Sequence, residues 1–227
     1  MSYETVTSST YWNINIATGS VTNISGGTFK SNSKGNEIIH ANANAEINIS
    51  GGNFINENKN GRIIYVHVKY APKITVTGGT FDSDAFFATG STGVSEVIIE
   101  DGQFKVNQVI SRSNDSYKLS ENTGIYGGIY NDGIKNSAEY IKKGHTYVEN
   151  TDESTNTEYP YTIGPATYYV YFHNNQVGSY KYNPEAHDVD LTVTPDSGYT
   201  CLSQVIVRKV PYVTAGNSAG GTTVTIG

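Results

Sequence analysis

A six-residue segment closing on an aromatic residue recurs along the first 130 residues of the chain. Its clearest copies are ISGGTF at 24–29, ISGGNF at 49–54 and VTGGTF at 76–81, followed by the looser IEDGQF at 99–104 and IYGGIY at 125–130. The closing aromatics are Phe29, Phe54, Phe81, Phe104 and Tyr130, so successive copies stand 25, 27, 23 and 26 residues apart. A period of about 20 to 50 residues indicates a repeat protein whose units stack along one axis.

Each repeat predicts a strand, a glycine corner and an inward-facing aromatic side chain. The residue two places before the aromatic is always glycine: Gly27, Gly52, Gly79, Gly102 and Gly128. Positions five and seven before it are β-branched and alternate with other residues, which is the period of a strand with one buried face. Glycine tolerates φ > 0, so the chain can turn there. Rungs stacked at the strand spacing of about 4.8 Å predict an all-β fold, a short right-handed parallel β-helix of about five coils.

A second strand in each coil is marked by a pair of adjacent apolar residues. These apolar doublets are Ile38-Ile39, Ile63-Ile64, Phe86-Phe87 and Val109-Ile110. They follow the aromatic by nine and ten residues in the first two coils and by five and six in the next two. The difference predicts loop insertions of about four residues, because loops tolerate length changes that stacked strands do not. Ile14 precedes Phe29 by the same 15 residues that separate Ile39 from Phe54, which predicts a partial N-terminal coil.

The repeat ends after Tyr130, where the composition changes. We expect a helical turn over 136–144, a polar loop and a strand at 161–164, which together would form a C-terminal cap over 130–164. The cap would complete a β-helix domain spanning 1–164, and Gly164-Pro165 marks the domain boundary. Residues 165–227 show the alternation and turns of hairpins, which predict a small antiparallel β-sandwich or β-grasp-like module.

Charge and composition restrict the partners. The net charge of −6 argues against nucleic acid or anionic membrane, since both require a basic surface. No apolar run is long enough to insert in a membrane. Helix-forming residues are scarce, in agreement with an all-β fold. The single cysteine, Cys201, lies in an apolar strand context and is expected to be a buried, unreactive thiol.

The Ile-Ser-Gly-Gly-Thr-Phe repeats resemble those of large surface proteins of gut Firmicutes and related bacteria. The segments at 140–144 and 161–164 resemble the endings of such coils, and LTVTPDSGYT at 191–200 is similar to internalin B-repeats. The resemblance, over 20–207, implies an extracellular segment of a Gram-positive cell-surface protein. The chain opens on polar residues without a secretion signal, so we expect it to be a piece of a longer protein.

This resemblance implies a non-enzymatic adhesin, ligand-binding or stalk-spacer module, with host protein or glycan as partner and no cofactor. Two alternatives remain open. One is a polysaccharide-active β-helix enzyme or a phage-tailspike-like glycan binder, and the other is a host immunoglobulin or mucin binder. An enzyme would need clustered carboxylates. The acids nearest that description are Asp82, Asp84, Glu100, Asp101 and Asp115, for which turn and loop roles are favoured; Asp101 is expected to replace the first glycine of its corner by accepting φ > 0.

One outward surface could contact a ligand. With Ile39 and Ile64 inward, alternation places His40 and Tyr65 outward and stacked, with His67 and Lys69 farther along. Aromatic rings with polar tips suit wet interfaces, although plain solvent exposure is the simpler interpretation. No catalytic or cofactor site is predicted, and the five histidines of the chain suggest no metal constellation.

Overall fold

A computed structural model describes residues 6–8, 12–31, 37–67, 69–114, 116–172, 175–181, 189–193, 206–208 and 222–226, with side chains described only between 12 and 166. The described part is mostly β-strand with one short helix, and its repeats form a parallel β-solenoid of about four turns. None of its helices is both long and apolar enough to cross a bilayer. The predicted parallel stacking of the repeats is confirmed.

The elements carry the following bounds in chain order. The strands are β1 (Val6–Ser8), β2 (Ile14–Ile16), β3 (Val21–Ser31), β4 (Glu37–Ala41), β5 (Glu46–Asn56), β6 (Arg62–Val66), β7 (Lys73–Thr89), β8 (Glu96–Arg112), β9 (Gly124–Ile125), β10 (Ile129–Tyr130), β11 (His145–Glu149), β12 (Tyr161–Pro165), β13 (Thr167–Phe172), β14 (Asn175–Lys181), β15 (Val189–Val193), β16 (Ile206–Arg208) and β17 (Thr222–Ile226), and a 3-10 helix spans Asp132–Tyr140.

Two parallel walls build the solenoid. In the first, β1, β3, β5, β7 and β8 pair in that order, with the repeat aromatics in register. In the second, β2, β4 and β6 pair in parallel and continue onto the later half of β7, so Ile14 is aligned with Ile39, and Ile39 with Ile64. Strands β7 and β8 run for 17 residues through both walls. Residues 57–61 form the loop between β5 and β6, in agreement with the predicted insertions.

The repeat aromatics form a continuous column inside the solenoid. Their rings stack face to face with centroid separations of 4.9, 5.2, 4.8 and 4.9 Å from Phe29 to Tyr130. All except Phe29 are fully buried, and Phe29 is 8% exposed. Offset-stacked ring pairs contribute about 0.5–1.5 kcal/mol beyond the area that they bury. The inward direction predicted for these side chains is therefore confirmed.

The second glycine of each corner has the backbone conformation that the sequence predicts. Values of φ are 101°, 112°, 112°, 138° and 100° at Gly27, Gly52, Gly79, Gly102 and Gly128. A Cβ added at Gly79 would lie 3.0 Å from the Phe81 ring. The corner therefore requires glycine both for its φ and for the approach of the next aromatic.

The expectation for Asp101 is wrong. This residue takes the place of the first glycine without adopting positive φ, which among described non-glycine residues occurs at Asn44, Asn60 and Lys69. Its carboxylate instead accepts a 2.7 Å hydrogen bond from the Gly102 N–H. Asp101 is thus a structural residue of the corner, through a side-chain bond to the backbone rather than through backbone strain.

The solenoid completes about four turns rather than the five predicted. The fifth repeat contributes only the two-residue strands β9 and β10, each parallel to β8. Strand β12 then pairs antiparallel with β10, which ends the parallel succession. The fifth aromatic, Tyr130, nevertheless stacks on Phe104.

The helix following the repeats begins and ends four residues earlier than the predicted 136–144. It begins after Asn131, whose side chain accepts the Gly133 N–H as an N-cap. The buried Ser137 hydroxyl accepts hydrogen bonds from the N–H groups of Val109 and Ile110, at 3.1 and 3.0 Å. These bonds place the helix against the last long strand, β8.

The chain divides into two compact units, 1–142 with 146–164, and 143–145 with 165–227. In the second unit β13 pairs antiparallel with β14 and β16, and β15 pairs antiparallel with β17. The sandwich or β-grasp arrangement of this unit stays a prediction. Cys201 lies outside the described residues.

Candidate functional site on the outer wall

The apolar doublets break the alternation of the second wall. Both side chains of each doublet in β4 and β6 are fully buried: Ile38, Ile39, Ile63 and Ile64. A regular strand sends neighbouring side chains to opposite faces, so the backbone must bend at the doublet. Residues three apart that flank the doublet consequently come to the same side.

Contacts in two successive coils demonstrate this effect. In β4 the His40 Nδ1 atom lies 3.2 Å from Glu37 Oε1. In β6, one coil along, the Arg62 guanidinium carbon lies 4.3 Å from the centre of the Tyr65 ring. These two coils therefore each present an i, i+3 pair on the outer wall, and the side chains at those positions decide what that surface can do.

Aromatic and imidazole rings from neighbouring coils meet at this surface. His40 and Tyr65 are register neighbours, as predicted. The His67 ring centre lies 4.8 Å from that of His40 and 4.6 Å from that of Tyr65. Trp12 stacks on His40 at 4.6 Å with a 25° interplanar angle. We call Trp12, Glu37, His40, Tyr65 and His67 the histidine cluster.

Burial within the histidine cluster is graded. The side chains of Glu37 and His40 are 9% and 12% exposed, whereas His67 is 50% exposed. His67 Nε2 lies 3.7 Å from the same Glu37 Oε1 that contacts His40. One nearly buried carboxylate thus faces two imidazoles, and one of these opens to solvent.

The expectation of no metal constellation is wrong as a statement of geometry. Glu37, His40 and His67 each offer one ligand atom, and these atoms lie within 4.8 Å of one another. Sequence reasoning overlooked Glu37 because strict alternation would have turned it away from His40. The Ile38-Ile39 doublet was the signal that could have identified it.

Lys69, the fourth residue predicted for the ligand surface, belongs to a different feature. It is exposed in the turn after β6, with φ at +69°. The described contacts of the histidine cluster do not include it. The residue that stacks on His40 is Trp12, to which the sequence analysis assigned no role in ligand contact.

The acids considered for catalysis have local partners. Asp84 accepts a 2.7 Å hydrogen bond from the Asn107 side chain, and Asp82 lies 3.9 Å from Lys105. Lys105 also contacts Glu158 at 2.8 Å, and this carboxylate raises the lysine pKa, so the ammonium remains charged. Glu100 is exposed, and Asp115 lies outside the described residues.

A cleft of about 390 Å³ lies where β8 meets the helix, and its polar lining includes Arg112, Lys118, Ser120, Glu139 and Tyr140. Burial is the main cause that raises the pKa of Tyr140 to about 12, so this phenol is a proton donor and not a base near neutral pH. Glu139 is the one carboxylate of the lining and lies 3.6 Å from Arg112.

No family model, curated protein or solved structure matches this chain. Function is therefore inferred from the geometry of the histidine cluster and of the solenoid that holds it.

Proposed function

We propose that this chain is a non-enzymatic segment of a bacterial cell-surface protein, an adhesin-like binding module carried on a stalk-like solenoid. The observation that carries the proposal is the histidine cluster, which sets an indole, a phenol and two imidazoles side by side on one outer wall. Such rings combine apolar area with hydrogen-bonding edges, and they are enriched where proteins contact partners across wet interfaces. The partner we propose is a host glycan or a host protein.

The position of the histidine cluster supports this function. His40 and Tyr65 lie on paired strands, so their spacing is set by the backbone ladder. Sites built on strands hold their geometry better than sites built on loops. Trp12, at 36% exposed, and His67, at 50%, leave ring surface available to a partner.

The finer architecture belongs to the same proposal. We propose right-handed winding, a cap formed by 130–164, and a small sandwich or β-grasp-like module from 165 onward. The hydrogen bonds that the Ser137 hydroxyl accepts from the N–H groups of Val109 and Ile110 hold the helix against β8 and support the cap. A cap is expected there because an exposed solenoid end is a template for aggregation. The resemblance to surface proteins of Gram-positive gut bacteria supports an extracellular location.

The cleft beside the helix favours one alternative, a polysaccharide-active enzyme or tailspike-like glycan binder. Its lining offers hydrogen-bonding groups suited to sugars, including the protonated phenol of Tyr140. Retaining and inverting glycosidases usually require two carboxylates flanking the scissile bond. The cleft lining contributes only Glu139, so glycan binding is the better supported of these two roles.

The test is binding of the purified chain to a glycan array, to mucins and to immunoglobulins. Trp12→Ala should weaken capture at least tenfold, whereas Tyr126→Ala, which removes an exposed aromatic of the fifth repeat, should leave it unchanged. Retention of full binding by Trp12→Ala would move the site away from the histidine cluster. Depolymerisation of an acidic or neutral polysaccharide, lost in Glu139→Gln or on alanine substitution of Asp82, Asp84, Glu100 and Asp101, would replace the proposal with the enzyme.

A further inference from the structure

We infer that Glu37, His40 and His67 form a binding site for a divalent transition-metal ion, with zinc as the ion that the donor set favours. The three side chains come from two neighbouring coils, since Glu37 and His40 flank the doublet of β4 and His67 follows β6. The site thus exists only when those coils are stacked.

The interatomic distances suit a tetrahedral ion. Zinc bonds to imidazole nitrogen and carboxylate oxygen are about 2.0–2.2 Å long, so ligand atoms around one ion lie about 3.3–3.5 Å apart. Glu37 Oε1 lies 3.2 Å from His40 Nδ1 and 3.7 Å from His67 Nε2. The ligand atoms of His40 and His67 form the third side of the triangle and lie within 4.8 Å of each other. His67, at 50% exposed, is the ligand with the most space to adjust.

The burial of Glu37 is the independent observation that points to a cation. Its side chain is 9% exposed, and buried carboxylates in proteins are typically paired with a positive group or bound to a metal ion. No lysine or arginine among the described residues forms an ion pair with it; its ionic partners there are the two imidazoles. A divalent ion bound between those imidazoles would supply positive charge beside this carboxylate.

The donor chemistry selects the class of metal. Calcium and magnesium prefer shells made of oxygen atoms, and this site offers one carboxylate beside two imidazoles. Imidazole suits zinc and its first-row neighbours, and two histidines with one glutamate is a known zinc ligand set that leaves a fourth position open. Since His67 faces solvent, that fourth position is accessible to water or to an oxygen atom of a partner.

Metal binding and the proposed adhesive function can be separated, although they use the same surface. Zinc binding needs only the three ligands, whereas capture of a glycan or host protein also depends on Trp12 and Tyr65. Zinc binding without capture from the panel would overturn the proposed function and leave the metal site intact. Capture from the panel by a chain that binds no zinc would support the proposed function and overturn the metal site.

The experiment measures zinc binding by calorimetry on the full chain without a polyhistidine tag, with cobalt(II) absorption as a spectroscopic probe. The expected result is one zinc ion per chain and no competition from calcium or magnesium at tenfold excess. His67→Ala and Glu37→Gln should each weaken zinc binding at least tenfold, since even outer-shell changes weaken metal affinity by about 10–100-fold. His67→Ala is the decisive variant, because its exposed side chain can be removed without opening the core.

The matched control replaces the three histidines outside the cluster, His145, His173 and His187, with glutamine. This variant should keep stoichiometric zinc binding. Absence of binding by the wild-type chain would overturn the inference. So would weak binding of several ions, or binding that survives His67→Ala but is lost in the control variant.

Discussion

The inner aromatic column and the outer column that includes His40 differ in how much their residue types vary from coil to coil, although both are generated by the same repeat. The inner column is aromatic in every coil, from Phe29 to Tyr130. The outer column changes its chemistry at each step: Asn15, His40, Tyr65, Ala88 and Ser111. The same backbone ladder therefore supports one column that is uniform and one that is variable.

The difference arises from what each side chain contacts. An inner ring packs between copies of itself, so a smaller residue in one coil leaves a void against two neighbours. In the outer column Asn15 is exposed and His40, Tyr65 and Ser111 are half-buried, so these positions can vary with a smaller penalty. Ala88, at 3% exposed, is the buried exception. The inner column should therefore carry stability, and the outer column should carry a function confined to the one or two coils with suitable side chains.

The largest effect is expected for Phe81→Ala, in the middle of the inner column. Phe81 is fully buried and stacks on Phe54 and Phe104, so its truncation should destabilise the fold by about 3–5 kcal/mol. Phe29→Ala should cost less, because Phe29 is 8% exposed and lies near the start of the described ring stack. Urea denaturation of both variants checks the prediction. A loss below about 1 kcal/mol for Phe81→Ala would contradict the role assigned to the column.

A smaller loss is expected for Gly79→Ala at the corner that leads to the same ring. Alanine there would adopt φ near 112° and bring its Cβ to 3.0 Å from Phe81, which should cost about 1–3 kcal/mol. Gly26→Ala is the matched control. The added methyl would meet no atom within 4 Å, so its stability should stay within about 0.5 kcal/mol of wild type. Equal melting temperatures for the two variants would show that the corner does not need glycine.

The inner column could be predicted from sequence because its physics is local and repeated. A glycine two places before each aromatic and β-branched residues at alternate positions before it specify the corner and the buried face. Register then follows from aligning the copies, and the structure pairs Phe54 with Phe81 as that alignment requires.

The histidine cluster could be predicted only in part. The alignment of His40 with Tyr65 on paired strands followed from the coil register. The approach of Glu37 to His40 did not, because it depends on a bend at Ile38-Ile39 that alternation does not anticipate. Trp12 was missed for another reason: it precedes the first full repeat, and no internal copy indicates where its side chain lies.

The last inner aromatic, Tyr130, should make stability sensitive to alkaline pH. Burial raises its pKa well above the ordinary value of 10.0, and its hydroxyl donates a 2.6 Å hydrogen bond to the Gly127 carbonyl. Below pH 10 the contribution of the Tyr130 hydroxyl to the free energy of unfolding is fully present. As pH rises further, the unfolded chain releases a proton that the folded chain retains, so stability falls by about 1.4 kcal/mol per pH unit.

Tyr130→Phe removes both the hydrogen bond and the titrating group. The variant should be about 1 kcal/mol less stable than wild type at pH 8. The difference in free energy of unfolding between wild type and variant should narrow above pH 10, because only the wild-type chain loses the Tyr130 contribution there. Denaturant titrations at pH 8, 10 and 11 measure this difference. A gap that stays constant through pH 11 would show that the buried hydroxyl does not titrate differently in the two states.

The smallest effect is expected on the outer column, for His67→Ala in the presence of a chelator. His67 is 50% exposed, and its contacts there are the edge of the Tyr65 ring, the His40 ring and the Glu37 carboxylate. Exposed contacts of this kind contribute little, so the free energy of unfolding should change by less than about 0.5 kcal/mol. A loss comparable with that of Phe81→Ala would remove the distinction between the columns, because the outer surface would then be part of what holds the coils together. If the change is small without metal and grows when zinc is added, the outer column contributes to stability only through its ligand, as expected of side chains selected for binding rather than for packing.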